Sequence, residues 1–175
     1  MKKAILIMVL IAAMCIGCTG KENKAIGDKS SKYQFDAADS TNWDKEKNSP
    51  EWLALYSSSL YKEMLEGTVT CEEGLEAAKE MATAEAAEQL GGMETEFRQG
   101  IEATRESLKN NDGDKIKAFH FSECIKDPDY EGRYTIYRIQ EMESGTLYYF
   151  KQDFIQESGQ WKVYGNNVEN PFYLS

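Results

Sequence analysis

Apolar residues between positions 49 and 111 recur every three to four residues, the period of helices that bury one face. The first predicted helix begins at Ser49-Pro50, where a capping serine precedes proline, and ends at Gly67. The second follows Thr70-Cys71-Glu72-Glu73, which has the spacing of a capping box, and continues through alanine-rich sequence to Gly91-Gly92. The third covers residues 93–110. This half of the chain therefore predicts three helices, each with an apolar stripe facing a core.

After Asp114 the apolar period changes to two, which is typical of β-strands. The loops Glu143-Ser144-Gly145 and Glu157-Ser158-Gly159 are short, and their glycines permit the positive φ that tight connections need. The pattern predicts four strands in an antiparallel meander, at residues 116–125, 133–142, 146–156 and 160–168.

Together the two halves predict an α+β domain with three N-terminal helices packed on a four-stranded antiparallel meander. Several strands carry large apolar side chains on both faces, so the helices have to cover one face of the sheet. We expect the other face to be partly open and to form a concavity. Tyr137, Tyr149 and His120 are the candidate ligand-binding residues of this domain.

The chain begins like a secretory signal peptide over residues 1–17. Lys2 and Lys3 precede an apolar stretch that is short for a bilayer span. The following Cys15-Ile16-Gly17-Cys18 resembles a bacterial lipobox, which implies that Cys18 is diacylated and becomes the first residue of the mature chain. An ordinary cleaved signal and an uncleaved anchor are the alternatives. We expect a lipid-anchored protein on the extracytoplasmic face of the cell membrane.

Residues 18–48 have the composition of a disordered linker. They contain six lysines and six acidic residues, and their apolar residues follow no period. Tyr33, Phe35 and Trp43 are exceptions that either dock on the domain or simply belong to the linker, and we expect the latter. The predicted organisation is thus a signal peptide at 1–17, a tether at 18–48 and one globular domain at 49–175.

The charge of the chain argues against nucleic acid as a partner. Among its 175 residues, 20 are Lys or Arg and 30 are Asp or Glu, which gives a formal net charge of -10. Basic residues are scattered among acidic ones, so the sequence offers no patch for phosphate. Thirteen acidic and five basic residues lie in the helical half, from 49 to 111. That acidic surface is a candidate for docking a basic partner.

The order of elements carries a family resemblance. Helices followed by a meander whose last strand opens with Gly159-Gln160-Trp161-Lys162-Val163 resemble the nuclear-transport-factor-2-like (NTF2-like) cone. Small bacterial lipoproteins of unknown function often combine a lipobox, a polar tether and such a domain. The resemblance covers residues 52–164 and implies a cone-shaped sheet around an interior pocket. A cystatin-like packing of helix on sheet is the alternative.

The residues that carry chemistry are few. His120 is the only histidine, and NTF2-like enzymes place His, Asp or Tyr inside the cone, so His120 with Asp153 as its partner is the catalytic candidate. The sequence contains no metal-ligand spacing and no phosphate-binding loop, so neither a metal nor a cofactor is expected. Cys71 and Cys124 either form a disulfide or remain free, and we expect free thiols.

These observations favour a non-enzymatic module that binds a protein or a small ligand, held at the membrane by its lipid. One alternative is an NTF2-like acid–base enzyme that uses His120. The other is an immunity or inhibitor protein that uses its acidic helical surface.

Overall fold

The structure is a computed structural model that describes Gly27 and residues 33–175. The predicted signal peptide, Cys18 and the rest of the predicted tether before Tyr33 lie outside the described residues, apart from Gly27. The helices are α1 (Pro50–Glu66), α2 (Cys71–Met81), α3 (Ala84–Gly91) and α4 (Glu94–Asn110). The strands are β1 (Gln34–Phe35), β2 (Ile116–Phe121), β3 (Ile125–Lys126), β4 (Arg133–Met142), β5 (Leu147–Glu157), β6 (Gln160–Val168) and β7 (Tyr173–Leu174).

The described residues confirm the predicted α+β class but not the helix count. Four helices precede a five-stranded antiparallel sheet, whereas three helices and four strands were predicted. Strands β2, β4, β5 and β6 lie side by side in chain order, as the meander requires, and β3 pairs with β4 on the same side as β2. With β2 at one edge and β6 at the other, this sheet is open.

The predicted second helix is broken into α2 and α3 at Ala82-Thr83. Both residues have extended backbone, and Ala82 forms a parallel bridge with Val163 at the edge of β6. The Thr83 backbone N–H donates to the Val163 carbonyl at 3.2 Å, and the Thr83 side chain caps α3 by accepting from the Ala86 N–H. An alanine-rich stretch without Gly or Pro favours a continuous helix. The pairing with β6 replaces helical hydrogen bonds at this point.

The first predicted strand is interrupted in a similar way. It ends at Phe121 and resumes at Ile125, because Ser122 contacts β4 and the segment that precedes α1. The Ser122 hydroxyl accepts from the Tyr137 backbone N–H at 2.9 Å, and Ser122 also forms an isolated bridge with Ala37. The result is a second short strand, β3, on the same edge of β4.

The helices cover one face of the sheet, as predicted. α1 and α4 contribute side chains such as Leu53 and Phe97, which are 3% and 1% exposed. The sheet contributes Phe121, Ile136 and Phe154, which pack in the same core as these helical side chains. Apolar side chains at helical spacing on one side and at every second position on the other thus meet in one core.

The opposite face of the sheet is covered, contrary to expectation. β1 and β7 pair in parallel. Phe35, Leu174 and Phe172, which directly precedes β7, pack on the sheet residues Tyr137 and Ile139. These residues form a second, smaller core. β1 belongs to the segment predicted as linker, so Gln34 and Phe35 of that segment form a strand in the part of the chain that the structure describes.

Further contacts hold the rest of that segment. Trp43 lies 5.1 Å from Phe121 between ring centres, and the Asn48 side-chain oxygen accepts from the Trp161 backbone N–H at 2.8 Å. Trp43 and Phe35, which looked isolated in a polar sequence, are therefore docking residues. Within residues 33–175, no helix is both long and apolar enough to cross a membrane.

Candidate functional site

Two of the three predicted ligand-binding residues lie in the second core. Tyr137 stacks on Phe35 with a centroid distance of 3.7 Å, and both Tyr137 and Tyr149 meet the edge of Phe172. Burial, reinforced by the Glu169 carboxylate, raises the pKa of Tyr137. These tyrosines line no open concavity, because the terminal segments occupy the surface that they were expected to offer.

His120 lies on the same outer face of the sheet and pairs with a carboxylate other than the predicted one. Its Nε2 is 2.8 Å from Glu141 Oε2, while Lys117 Nζ contacts Glu141 Oε1 at 2.5 Å. Hydrogen bonds from Lys117 and His120 lower the pKa of Glu141. Asp153 lies on β5, separated from β2 by β4, and accepts from the Thr135 hydroxyl at 2.7 Å.

The two cysteines of the domain are free thiols, as expected. Cys71 is buried at the start of α2, and Cys124 is partly buried between β2 and β3. Burial, together with the nearby Glu51 carboxylate, raises the pKa of Cys124 to about 12. A thiol with so high a pKa carries little thiolate at neutral pH and is a poor nucleophile.

A cavity that the sequence did not indicate lies where the carboxyl ends of α1 and α4 meet the start of β2. Its volume is about 390 Å³. Leu65, Leu108 and Ile116 supply apolar wall, one from each of the three elements. Gly67 ends α1 with a left-handed backbone at φ 79°, and no atom lies near enough to be contacted by a side chain there.

The rim of this cavity is cationic. Lys62, Arg105, Lys109 and Lys115 line it, against two carboxylates, Glu66 and Asp114. Glu66 pairs with one of these rim lysines, whereas Asp114 has a partner outside the rim. Glu66 lies 3.9 Å from Lys62, and Asp114 accepts from the backbone N–H and the hydroxyl of Ser144 at 3.0 and 2.7 Å. An excess of positive charge therefore surrounds an apolar pocket in an acidic protein.

Arg105 is fixed at the inner side of this rim. Its Nε donates to the carbonyl oxygen of Met64 at 2.8 Å, and its Nη2 donates to the same oxygen. Met64 lies in the last turn of α1, where carbonyl groups lack helical partners and carry partial negative charge. Arg105 thus caps α1 and keeps its position. Lys109, one turn further along α4, follows it on the rim.

Lys109 and Arg105 also border a neighbouring surface depression of about 560 Å³, whose other residues are Glu102, Glu106 and Asn110. Because this depression combines two carboxylates with the same two cations, it lacks the charge excess of the first cavity. Elsewhere in residues 33–175, no group of three or more His, Cys, Asp and Glu side chains is placed to hold a metal ion.

Comparison with known proteins gives no relative: no protein-family model, curated protein or solved structure matches the chain.

Proposed function

We propose that this chain is a lipid-anchored protein of the extracytoplasmic face of the membrane whose domain binds a small organic anion without transforming it. The observation that carries the proposal is the cavity at the carboxyl ends of α1 and α4. Apolar walls suit the body of such a ligand, and Lys109 and Lys115 suit its anionic group. The net charge of the whole chain, -10, makes this local excess of cations a specific feature.

The ligand test uses two fluorescent probes that differ in charge. 1-Anilinonaphthalene-8-sulfonate is an apolar anion, and N-phenyl-1-naphthylamine is its counterpart without the sulfonate. We expect the full-length chain to bind the anionic probe about tenfold more tightly, which corresponds to about 1.4 kcal/mol. Reversal of charge at Lys109 and Lys115 together (Lys109→Glu, Lys115→Glu) abolishes that preference and leaves binding of the neutral probe unchanged.

Lys126→Glu is the matched control, because Lys126 is exposed on β3 and does not line the cavity. It makes the same change in net charge per residue. If Lys126→Glu reduces the binding free energy of the anionic probe by half as much as the double substitution does, overall charge accounts for the effect and the site proposal fails. Equal affinity of the wild-type chain for both probes has the same consequence.

Membrane anchoring forms the second part of the proposal and rests on the lipobox-like residues ahead of Cys18. We expect cells that express the full-length chain to incorporate labelled palmitate into it, and the Cys18→Ala variant to lose that label and leave the membrane fraction. Two acyl chains are sufficient for stable attachment. Label that persists in Cys18→Ala would overturn the anchoring proposal without affecting the ligand test.

We further propose that the domain is a variant of the NTF2-like cone rather than a cystatin-like packing. Helices that precede an antiparallel meander and cover one of its faces support this proposal. The two alternative functions have less support. The two cavities described above are not lined by His120 or Glu141, and some acidic side chains of the helices already pair with basic ones, such as Glu72 with Arg98.

A further inference from the structure

A second polar site lies between α1 and the sheet, around Arg138 in the middle of β4. Arg138 is only 3% exposed, although it carries a charge. Its Nη1 donates to the Ser58 hydroxyl at 2.7 Å, and its Nε has no hydrogen-bond partner among the described residues. No carboxylate within residues 33–175 forms a salt bridge with it. A buried guanidinium normally has such a partner.

Two aromatic rings near Arg138 offset only part of the free-energy cost of burying its charge without a carboxylate partner. The guanidinium carbon lies 4.3 Å from the ring centre of Phe150 and 5.4 Å from that of Phe119. Burial lowers the pKa of Arg138 to about 10, so the group remains protonated at neutral pH. The side chain is therefore a buried cation whose Nε–H has no hydrogen-bond partner among the described residues. A carboxylate is the anion whose geometry matches a guanidinium.

Unpartnered hydrogen-bond acceptors lie beside this cation on the same face of the sheet. Gln140 follows Arg138 by two residues on β4, and Gln152 lies on β5 opposite Ile136. Both amides are buried, 6% and 1% exposed, and the Oε1 atom of each has no partner among the described residues. A cation and neutral acceptors in one place match a ligand that carries both an anionic group and a hydrogen-bond donor.

The cluster continues to the surface. Gln140 pairs in register with Tyr148, which is 39% exposed. Burial raises the pKa of Tyr61 on α1, while Thr104 on α4 and the positive charge of Arg138 act in the opposite direction. Polar side chains therefore extend along β4 and β5 from the buried Arg138 to the exposed Tyr148. None of these side chains lines the cavity at the carboxyl ends of α1 and α4.

We propose that the region around Arg138 binds a small 2-hydroxycarboxylate. The carboxylate pairs with the guanidinium, and the hydroxyl donates to the Oε1 atom of Gln140. A hydroxyl suits the site better than an ammonium group, because a second positive charge next to a buried arginine is unfavourable. This inference is independent of the anion cavity, since the two sites share no lining residue.

The test measures binding of lactate and propionate to the full-length chain in detergent by calorimetry, with sodium chloride used to keep ionic strength constant. Propionate is lactate without the hydroxyl. We expect the wild-type chain to bind lactate about tenfold more tightly than propionate, the ratio expected for one net hydrogen bond in a buried site. Gln140→Leu abolishes the difference and retains propionate binding. Arg138→Met abolishes binding of both.

Lys109→Glu is the control that separates the two sites, because it alters the cavity rim and leaves this cluster unchanged. It retains lactate binding if the inference holds, and loses it if lactate occupies the cavity instead. Where Arg138→Met does not fold, the Gln140→Leu variant decides alone. Equal affinity for lactate and propionate in the wild type, or a difference that persists in Gln140→Leu, overturns the inference.

Discussion

Substitution of Phe35 by alanine tests whether the chain ahead of α1 is an integral part of the domain. The Phe35 ring is half-buried, stacks on Tyr137 at 3.7 Å and meets the edge of Phe172 at 5.4 Å. Truncation of a fully buried phenylalanine costs about 3–5 kcal/mol. For a ring that is half-buried and also loses a stacked aromatic partner, we expect a loss of about 2 kcal/mol in the free energy of unfolding.

The measurement is urea unfolding of the full-length chain, monitored by tryptophan fluorescence. The wild type and Phe35→Ala are fitted with the same dependence of the unfolding free energy on urea concentration. Gln34→Ala is the control. Gln34 precedes Phe35 on β1 and is exposed, so its truncation should change stability by less than about 0.5 kcal/mol. If Phe35→Ala is also within about 0.5 kcal/mol of the wild type, the segment does not pack on the sheet in solution, and the linker extends to α1 as its composition suggests.

The remaining predictions concern three other parts of the domain. A Cβ atom at Gly74 would lie 2.1 Å from the buried Met64 sulfur, so Gly74→Ala should lower the free energy of unfolding by about 1–3 kcal/mol. Gly91→Ala is the control, because a Cβ atom there would lie 3.9 Å from its nearest neighbour. Denaturant midpoints compare the two variants, and equal effects would contradict the packing of Gly74 on Met64. The pKa of Glu141 is lowered in the fold from its ordinary value of 4.5, so its ionised form stabilises the protein above that pH, and this contribution is lost as the pH falls further. Glu141→Gln should therefore lose less stability than the wild type between about pH 5 and about pH 3, the range in which an ordinary glutamate titrates, and parallel curves would refute this. The pKa of Cys124, about 12, predicts that iodoacetamide alkylates this thiol in the folded chain at about pH 8 far more slowly than in the unfolded chain, and equal rates would contradict its burial.

Local periodicity was sufficient to predict the class of the fold and most element boundaries. The Ser49 and Thr70 caps are both formed, and α1 ends at Gly67 as predicted. These features depend on residues that are close in sequence. The errors depend on residues that are far apart in sequence. Ala82 has extended backbone because it pairs with Val163, and Phe35 is ordered because it stacks on Tyr137.

Neither proposed site could be assigned from the sequence, for two different reasons. The cavity combines residues from α1, α4 and the start of β2, and each lysine in its own segment has the pattern of an ordinary solvated charge. Arg138 did leave a signal. Alternation places it on the same face of its strand as Ile136 and Met142, where a charged residue breaks the apolar pattern. A charge at a core position is therefore a useful marker of an internal polar site.

The pairing of β1 with β7 also constrains when the molecule can finish folding. β7 lies at residues 173–174, so Tyr137 and Tyr149 lack their covering side chains until these residues have been synthesised. Contacts of such high sequence separation form late, because the entropy of closing the long intervening loop opposes them. During that interval an aromatic sheet surface is open to other chains, and chaperone binding at this stage would protect it from aggregation.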